Sequence, residues 1–174
     1  LQPTPTLIVT PSPAHPFTPT PPNDSGWELL QSGLERRTIR LEEADGRLIE
    51  RFTILRLDPS LFTFAIGYSP GQPKPLVTWQ EESGALIAMN GGFFTEAYLA
   101  TGLIVVDGQA SGTSYVGFGG MVTIGEGGVD VRSLVERPYD ASETFSYALQ
   151  AFPMLVLNGA ASYQTADLDA ARRT

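Results

Sequence analysis

At 174 residues, 42% of them hydrophobic, the chain is long enough for a domain with a real core. It has no cysteine and one histidine, His15, which excludes disulfides, thiolate catalysis, cysteine-built metal sites, multi-histidine metal sites and Ser-His-Asp chemistry. A net charge of −8 argues against nucleic acid or an anionic membrane surface as partner, and no apolar run reaches the length of a membrane span.

Residues 1–22 read LQPTPTLIVTPSPAHPFTPTPP, with proline or threonine at nearly every second position. Such a segment stays extended and solvated and cannot bury a core. Residues 1–23 are therefore expected to form a stalk or linker and residues 24–174 a folded domain that begins near Trp27. A stalk of this composition points to an exported, extracellular or cell-surface protein, with any signal or anchor upstream of Leu1. Asn23-Asp24-Ser25 fits a glycosylation acceptor, a short match that arises often by chance.

Arg36 to Leu41 is a predicted strand, Ala44-Asp45-Gly46-Arg47 a turn, and Leu48 to Leu57 the returning strand. Phe52 and Ile54 alternate there with polar residues, which predicts an antiparallel hairpin with one buried face. Leu61 to Tyr68 is another β-type run. Thr78-Trp79-Gln80-Glu81 has capping-box spacing and predicts a helix from about Trp79 to Ser83, ended by Gly84.

The chain is organised around Ala85 to Gly108, ALIAMNGGFFTEAYLATGLIVVDG. Leu86 to Met89 has the length of a buried strand and stops at Asn90-Gly91-Gly92, followed by Phe93 and Phe94. Leu103 to Val106 is a second apolar run, closed by the type I′ turn signal Asp107-Gly108. Paired glycines let the backbone N–H groups approach a ligand closely. These residues alone fit a turn with hydrophobic plugs as well as they fit a binding loop.

Ser111 to Gly120 is glycine-rich without phosphate-loop spacing. Gly119 to Ile124 and Val129 to Leu134 are predicted to pair across Gly125-Glu126-Gly127-Gly128. Asp140-Ala141-Ser142-Glu143 is a second capping box and predicts a helix through Ala148. Pro153 to Leu157 is a predicted strand that ends at Asn158-Gly159. The expected class is α+β, β-rich, with mixed or antiparallel sheets and a few short helices.

Three features offer chemistry. The first is Asn90-Gly91-Gly92 with Phe93 and Phe94. The second is Gln150-Ala151-Phe152-Pro153, a polar side chain in an otherwise apolar neighbourhood, with Gln150 read locally as a helix-terminal residue just before a strand. The third is Arg172-Arg173, a solvated pair or a fork for carboxylate or phosphate. Asp107 reads first as a turn residue.

IAMNGGFF, TGLIVVDG, QAFPMLVLNG and ARRT, in this order, resemble the phosphodiester glycosidase family, which includes N-acetylglucosamine-1-phosphodiester α-N-acetylglucosaminidase and exported bacterial relatives. RFTILRLDP fits the strand that precedes the family's core. The resemblance spans Trp27 to Thr174. Members of the family continue past the arginine motif into further strands and an Asp-Gly-Gly-Ser type segment. On this resemblance the chain is expected to correspond to the N-terminal part of that domain, incomplete at its C-terminus.

The resemblance implies a hydrolase that cleaves the glycosidic C–O bond of a sugar-1-phosphodiester on cell-surface or exopolysaccharide substrates. It implies that Asn90, Gly91 and Gly92 line the pocket with Gln150 and Arg173 near it. Asp107 is the choice for the catalytic carboxylate, Arg172 joins the phosphate grip, and Phe93 or Phe94 stacks on the sugar. The alternative is an extracellular carbohydrate-binding or structural envelope module without catalysis. No cofactor is implied, and an oxygen-ligand calcium or magnesium site stays open.

Overall fold

The computed structural model describes residues 23–162. They divide into two units, one ending at Asp58 and one starting at Pro59.

The first unit is one antiparallel sheet in the order β1 (Asp24–Gln31), β2 (Leu34–Glu42), β3 (Leu48–Leu57). The β2–β3 hairpin turns where Asp45-Gly46 predicts, and Gly46 takes the left-handed φ of +85° that suits glycine. β1 was not anticipated as a strand. Its register shifts between Asp24 and Trp27, around Gly26 at φ +67°, so a polar start is accommodated by a bulge.

The expected buried face is not found. Leu34 is the only buried residue of this unit among those described, and Phe52 and Ile54 are exposed. Cross-strand ion pairs accompany the ladder instead: Arg36 with Glu28, Arg37 with Asp24, and Arg56 with Glu35. The Arg56 guanidinium also lies over the Trp27 ring, 4.3 Å from its centroid.

In the second unit, two predicted strands do not form. Leu61 to Tyr68 and Leu86 to Met89 run outside any ladder. An apolar run becomes a strand only where a partner takes up its N–H and C=O groups, and none of the described segments pairs with either. The helix α1 (Leu76–Ser83) begins three residues before the predicted start. Pro75, at φ −55°, precedes it, and no side chain caps it, so Thr78 is an interior residue. Gly84 closes it at φ +65°, as predicted.

The core belongs to a five-stranded antiparallel sheet. Its strands are β4 (Ile104–Val106), β5 (Gln109–Ser111), β6 (Gly120–Gly125), β7 (Gly128–Ser133) and β8 (Tyr147–Ala151), in the order β5-β4-β8-β6-β7. Asp107 and Gly108 have φ of 49° and 77°, the double left-handed turn that their sequence predicts. Leu103, Val105, Met121, Leu134 and Ala148 form the buried cluster, with Tyr115, Tyr139 and Phe145 packed against it.

The second capping box makes its local hydrogen bonds but starts no helix. Glu143 accepts from the Asp140 N–H at 3.0 Å and is gripped by both terminal nitrogens of Arg132, each at 2.6 Å. Tyr147 to Ala151 are then taken into β8 between β4 and β6, where the sheet supplies partners on both sides. Of the predicted strand Pro153 to Leu157, only β9 (Val156–Leu157) forms, and it pairs with β10 (Ala160–Ala161) across Asn158-Gly159. Ten strands and one helix among the described residues make this a β-rich α+β fold. No helix among them is long and apolar enough to cross a membrane.

Candidate functional site

Gln150 sits neither at a helix end nor before a strand. It lies within β8 with 1% of its surface exposed. Its Oε1 accepts from the N–H of Tyr115 at 2.9 Å and of Leu103 at 3.3 Å. Its Nε2 donates to Ser114 Oγ at 2.9 Å and faces Met121 Sδ at 3.7 Å. A buried amide is tolerated only when its polar atoms are satisfied. Here the same bonds fasten the entry to β4 and the loop before β6 onto the central strand.

Gly91 and Gly92 lie across this point of β8. A Cβ on Gly92 would stand 2.6 Å from the Gln150 carbonyl oxygen, and one on Gly91 would stand 3.0 Å from the Leu149 side chain. Glycine is therefore required by contact distance at Gly92, whereas at Gly91 the Leu149 side chain would have to give way by a few tenths of an ångström. Gly102 meets the Tyr115 ring and the Gln150 Cβ in the same way, and Gly119 meets the Ala151 carbonyl.

Phe93 turns inward onto Phe152, with ring centroids 4.7 Å apart. Tyr115 and Phe118 complete a cluster of four rings. The Phe93 carbonyl accepts from the Thr101 N–H at 3.0 Å, and Thr101 Oγ1 lies 2.6 Å from the Tyr115 hydroxyl. Phe94 turns outward. Asn90 is exposed, and its side-chain amide and the N–H groups of Gly91 and Gly92 have no hydrogen-bond partner among the described residues. Unpaired donors on successive residues are suited to an anion.

Asp107 is placed elsewhere. It occupies the β4–β5 turn, where its Oδ1 accepts from the Tyr147 hydroxyl at 2.7 Å. That bond pushes the Tyr147 hydroxyl's pKa up. Tyr147 begins β8 and Gln150 lies near its end, so Asp107 does not join the glycines. A cleft of about 320 Å³ lies on the Asp107 side, lined by Val105, Ala110, Tyr139, Glu143 and Phe145 among others. In it, the Arg132 guanidinium holds the Glu143 carboxyl at about 2, far below its ordinary 4.5. Arg172 and Arg173 lie outside the described residues. Among those described, no group of three or more His, Asp or Glu is arranged to hold a metal ion.

The structure thus brings together Asn90, Gly91, Gly92, Phe93 and Gln150. Sequence reasoning missed Thr101, Ser114, Tyr115 and Phe118 as members of this cluster and named Phe152 only as a neighbour of Gln150. The aromatic residues spaced between the glycines of SGTSYVGFGG were the available signal. The chain matches no protein-family model, no curated protein and no solved structure.

Proposed function

We propose that this chain carries the substrate-binding part of an exported phosphodiester glycosidase that hydrolyses sugar-1-phosphodiesters of cell-surface or exopolysaccharide material. One observation carries the reading. Three of the four segments on which the resemblance rests meet at Gln150 and the double glycine, and Gln150 lies 47 positions after its partner Leu103.

In the proposed reaction water adds to the anomeric carbon and gives up one proton to solvent. The bond from that carbon to the phosphodiester oxygen breaks, and its electron pair leaves with the phosphate monoester. A phosphate is weakly basic, so protonation of the leaving group matters less than for an ordinary glycoside. The N–H groups of Gly91 and Gly92 and the Asn90 amide donate to phosphate oxygens. Arg172 and Arg173 are assigned the same anion. Asp107, engaged by Tyr147 at the other end of β8, is not given the carboxylate's role.

The test is hydrolysis of an aryl sugar-1-phosphodiester by the full-length gene product, with Asn90→Ala and Arg173→Ala beside it. Release of free sugar, reduced about a hundredfold in both variants, is the expected result. No release from a protein shown to be folded by circular dichroism overturns the reading. The second reading is a carbohydrate-binding or structural module without catalysis. It is favoured by the described side chains that meet at the double glycine, which supply amides, hydroxyls and rings but, among the described residues, no carboxylate.

A further inference from the structure

We propose that the hairpin from Phe94 to Ala100 is a stacking shelf for the C–H face of a neutral pyranose, with Glu96 receiving the sugar's hydroxyls. The proposal rests on the sugar-directed reading above and adds a second contact region, distinct from the phosphate donors of Gly91 and Gly92.

Phe94 is 61% exposed and Tyr98 45% exposed. Their rings stack on each other, with centroids 5.7 Å apart and planes 25° from parallel. Neither ring joins the cluster that holds Phe93, and leaving both in water forgoes the burial that aromatic rings gain in a core.

The hairpin beneath the rings is closely tied. The Thr95 N–H donates to the Leu99 carbonyl and the Tyr98 N–H to the Thr95 carbonyl, both at 2.8 Å. The Leu99 N–H donates to Thr95 Oγ1 at 3.2 Å. Two residues outside the hairpin brace it: Tyr68 Oη accepts from the Ala100 N–H at 3.0 Å, and the Gly71 N–H donates to the Tyr98 carbonyl at 3.3 Å. Tyr98 has φ of +58°, a conformation that glycine or asparagine fills without strain and a bulky ring does not. The turn thus carries an aromatic residue where its backbone favours a small one.

Glu96 lies between the two rings in sequence, is exposed, and has no hydrogen bond or ion pair among the described residues. Two exposed rings, near parallel and with a carboxylate between them in sequence that has no other bond among the described residues, match a pyranose, whose axial hydrogens form an apolar face and whose equatorial hydroxyls are donors. The same carboxylate disfavours a sugar acid.

The experiment uses the full-length protein, with chitotriose and cellotriose as probes, read by isothermal titration calorimetry and saturation-transfer NMR. Binding is expected for at least one trisaccharide. Phe94→Ala and Tyr98→Gly should each weaken it by about tenfold, while Tyr98→Phe keeps it. Tyr98→Gly removes the ring and also relaxes the left-handed backbone, so its melting temperature should not fall, and lost binding then reports the ring. Glu96→Gln should weaken binding by about threefold.

Absence of binding to both trisaccharides, or binding unchanged in both ring variants, overturns the proposal. Hydrolysis of the aryl phosphodiester with the same KM in wild type and Tyr98→Gly also overturns it, and leaves the glycosidase reading standing. Ring-dependent trisaccharide binding without any hydrolysis keeps the shelf and removes the glycosidase.

Discussion

The three-stranded and the five-stranded sheets of this protein solve opposite problems. β1, β2 and β3 have 8, 9 and 10 residues, yet only Leu34 is buried among the described residues of their unit. β4 to β8 have between 3 and 6 residues each and surround Met121 and Ala148, which are almost wholly buried. Strand length therefore says little about core. The long ladder is built on backbone pairing, with cross-strand ion pairs alongside it. The short one is sustained by side chains packed against β8 and by loops that touch it at backbone distance.

The sharpest way to break this comparison is to add one methyl group to each region. Gly112 has φ of +80°, and its Cβ would overlap the Gly102 carbonyl, whereas Gly46 has φ of +85° and open space around it. Gly112→Ala should destabilise the five-stranded unit by about 4 kcal/mol or more, and Gly46→Ala by about 1 kcal/mol. Thermal melts of the two variants check the ratio, and equal losses would sink the distinction.

A smaller effect is expected from Gln150→Leu. It keeps much of the volume but leaves the N–H groups of Leu103 and Tyr115 without their acceptor, at about 1–3 kcal/mol for each buried donor. Hydrogen exchange should rise at Leu103 and Tyr115 more than at β1 to β3.

Acid sharpens the comparison further. Arg37 holds Asp24 at about 2, down from 3.8, in the long-stranded unit, and Arg132 holds Glu143 at about 2, down from 4.5, in the other. Both carboxyls are lowered by folding, so each contribution is complete above the unfolded value and is lost as pH falls toward 2. Protonating Glu143 strips the partner from a buried guanidinium, whereas Arg37 reaches solvent. Lowering the pH from 6 to 2.5 should therefore loosen β7 before β1, as followed by amide exchange, and Glu143→Gln should flatten that dependence. The smallest change is expected at the exposed Arg36–Glu28 pair. Breaking it with Glu28→Gln should shift stability by less than about 1 kcal/mol.

Hairpins are the legible part of the fold because their cause is local. Asp45-Gly46, Asp107-Gly108 and Asn158-Gly159 each turn the chain where their own φ preferences require it. Leu61 to Tyr68 and Leu86 to Met89 depart from their predicted strands because apolar composition does not reveal whether a ladder partner exists. The box at Asp140 makes the hydrogen bonds that its spacing predicts, but Tyr147 to Ala151 serve a central strand where a helix was expected. Gln150 is the least legible residue of the candidate site. Its partners Leu103 and Tyr115 lie 47 and 35 positions away, and the apolar neighbourhood that marks it out does not say which groups its amide would meet. Only the family resemblance joins the double glycine to Gln150 at the level of sequence. Asp107, assigned through the same resemblance, is placed apart from them by the antiparallel course of β4 and β8.

The close approaches at Gly92, Gly102, Gly112 and Gly119 bear on how this region tolerates change. An ordinary core position accepts several apolar residues of similar size. These four accept hydrogen alone, because main-chain oxygens or an aromatic ring occupy the space of a first carbon. A saturation library across the region would show four columns in which even alanine is depleted, flanked by positions such as Val116 that admit many residues. Directed evolution toward a new ligand would therefore have to proceed through Asn90, Phe94 and Tyr98, where the chain meets solvent.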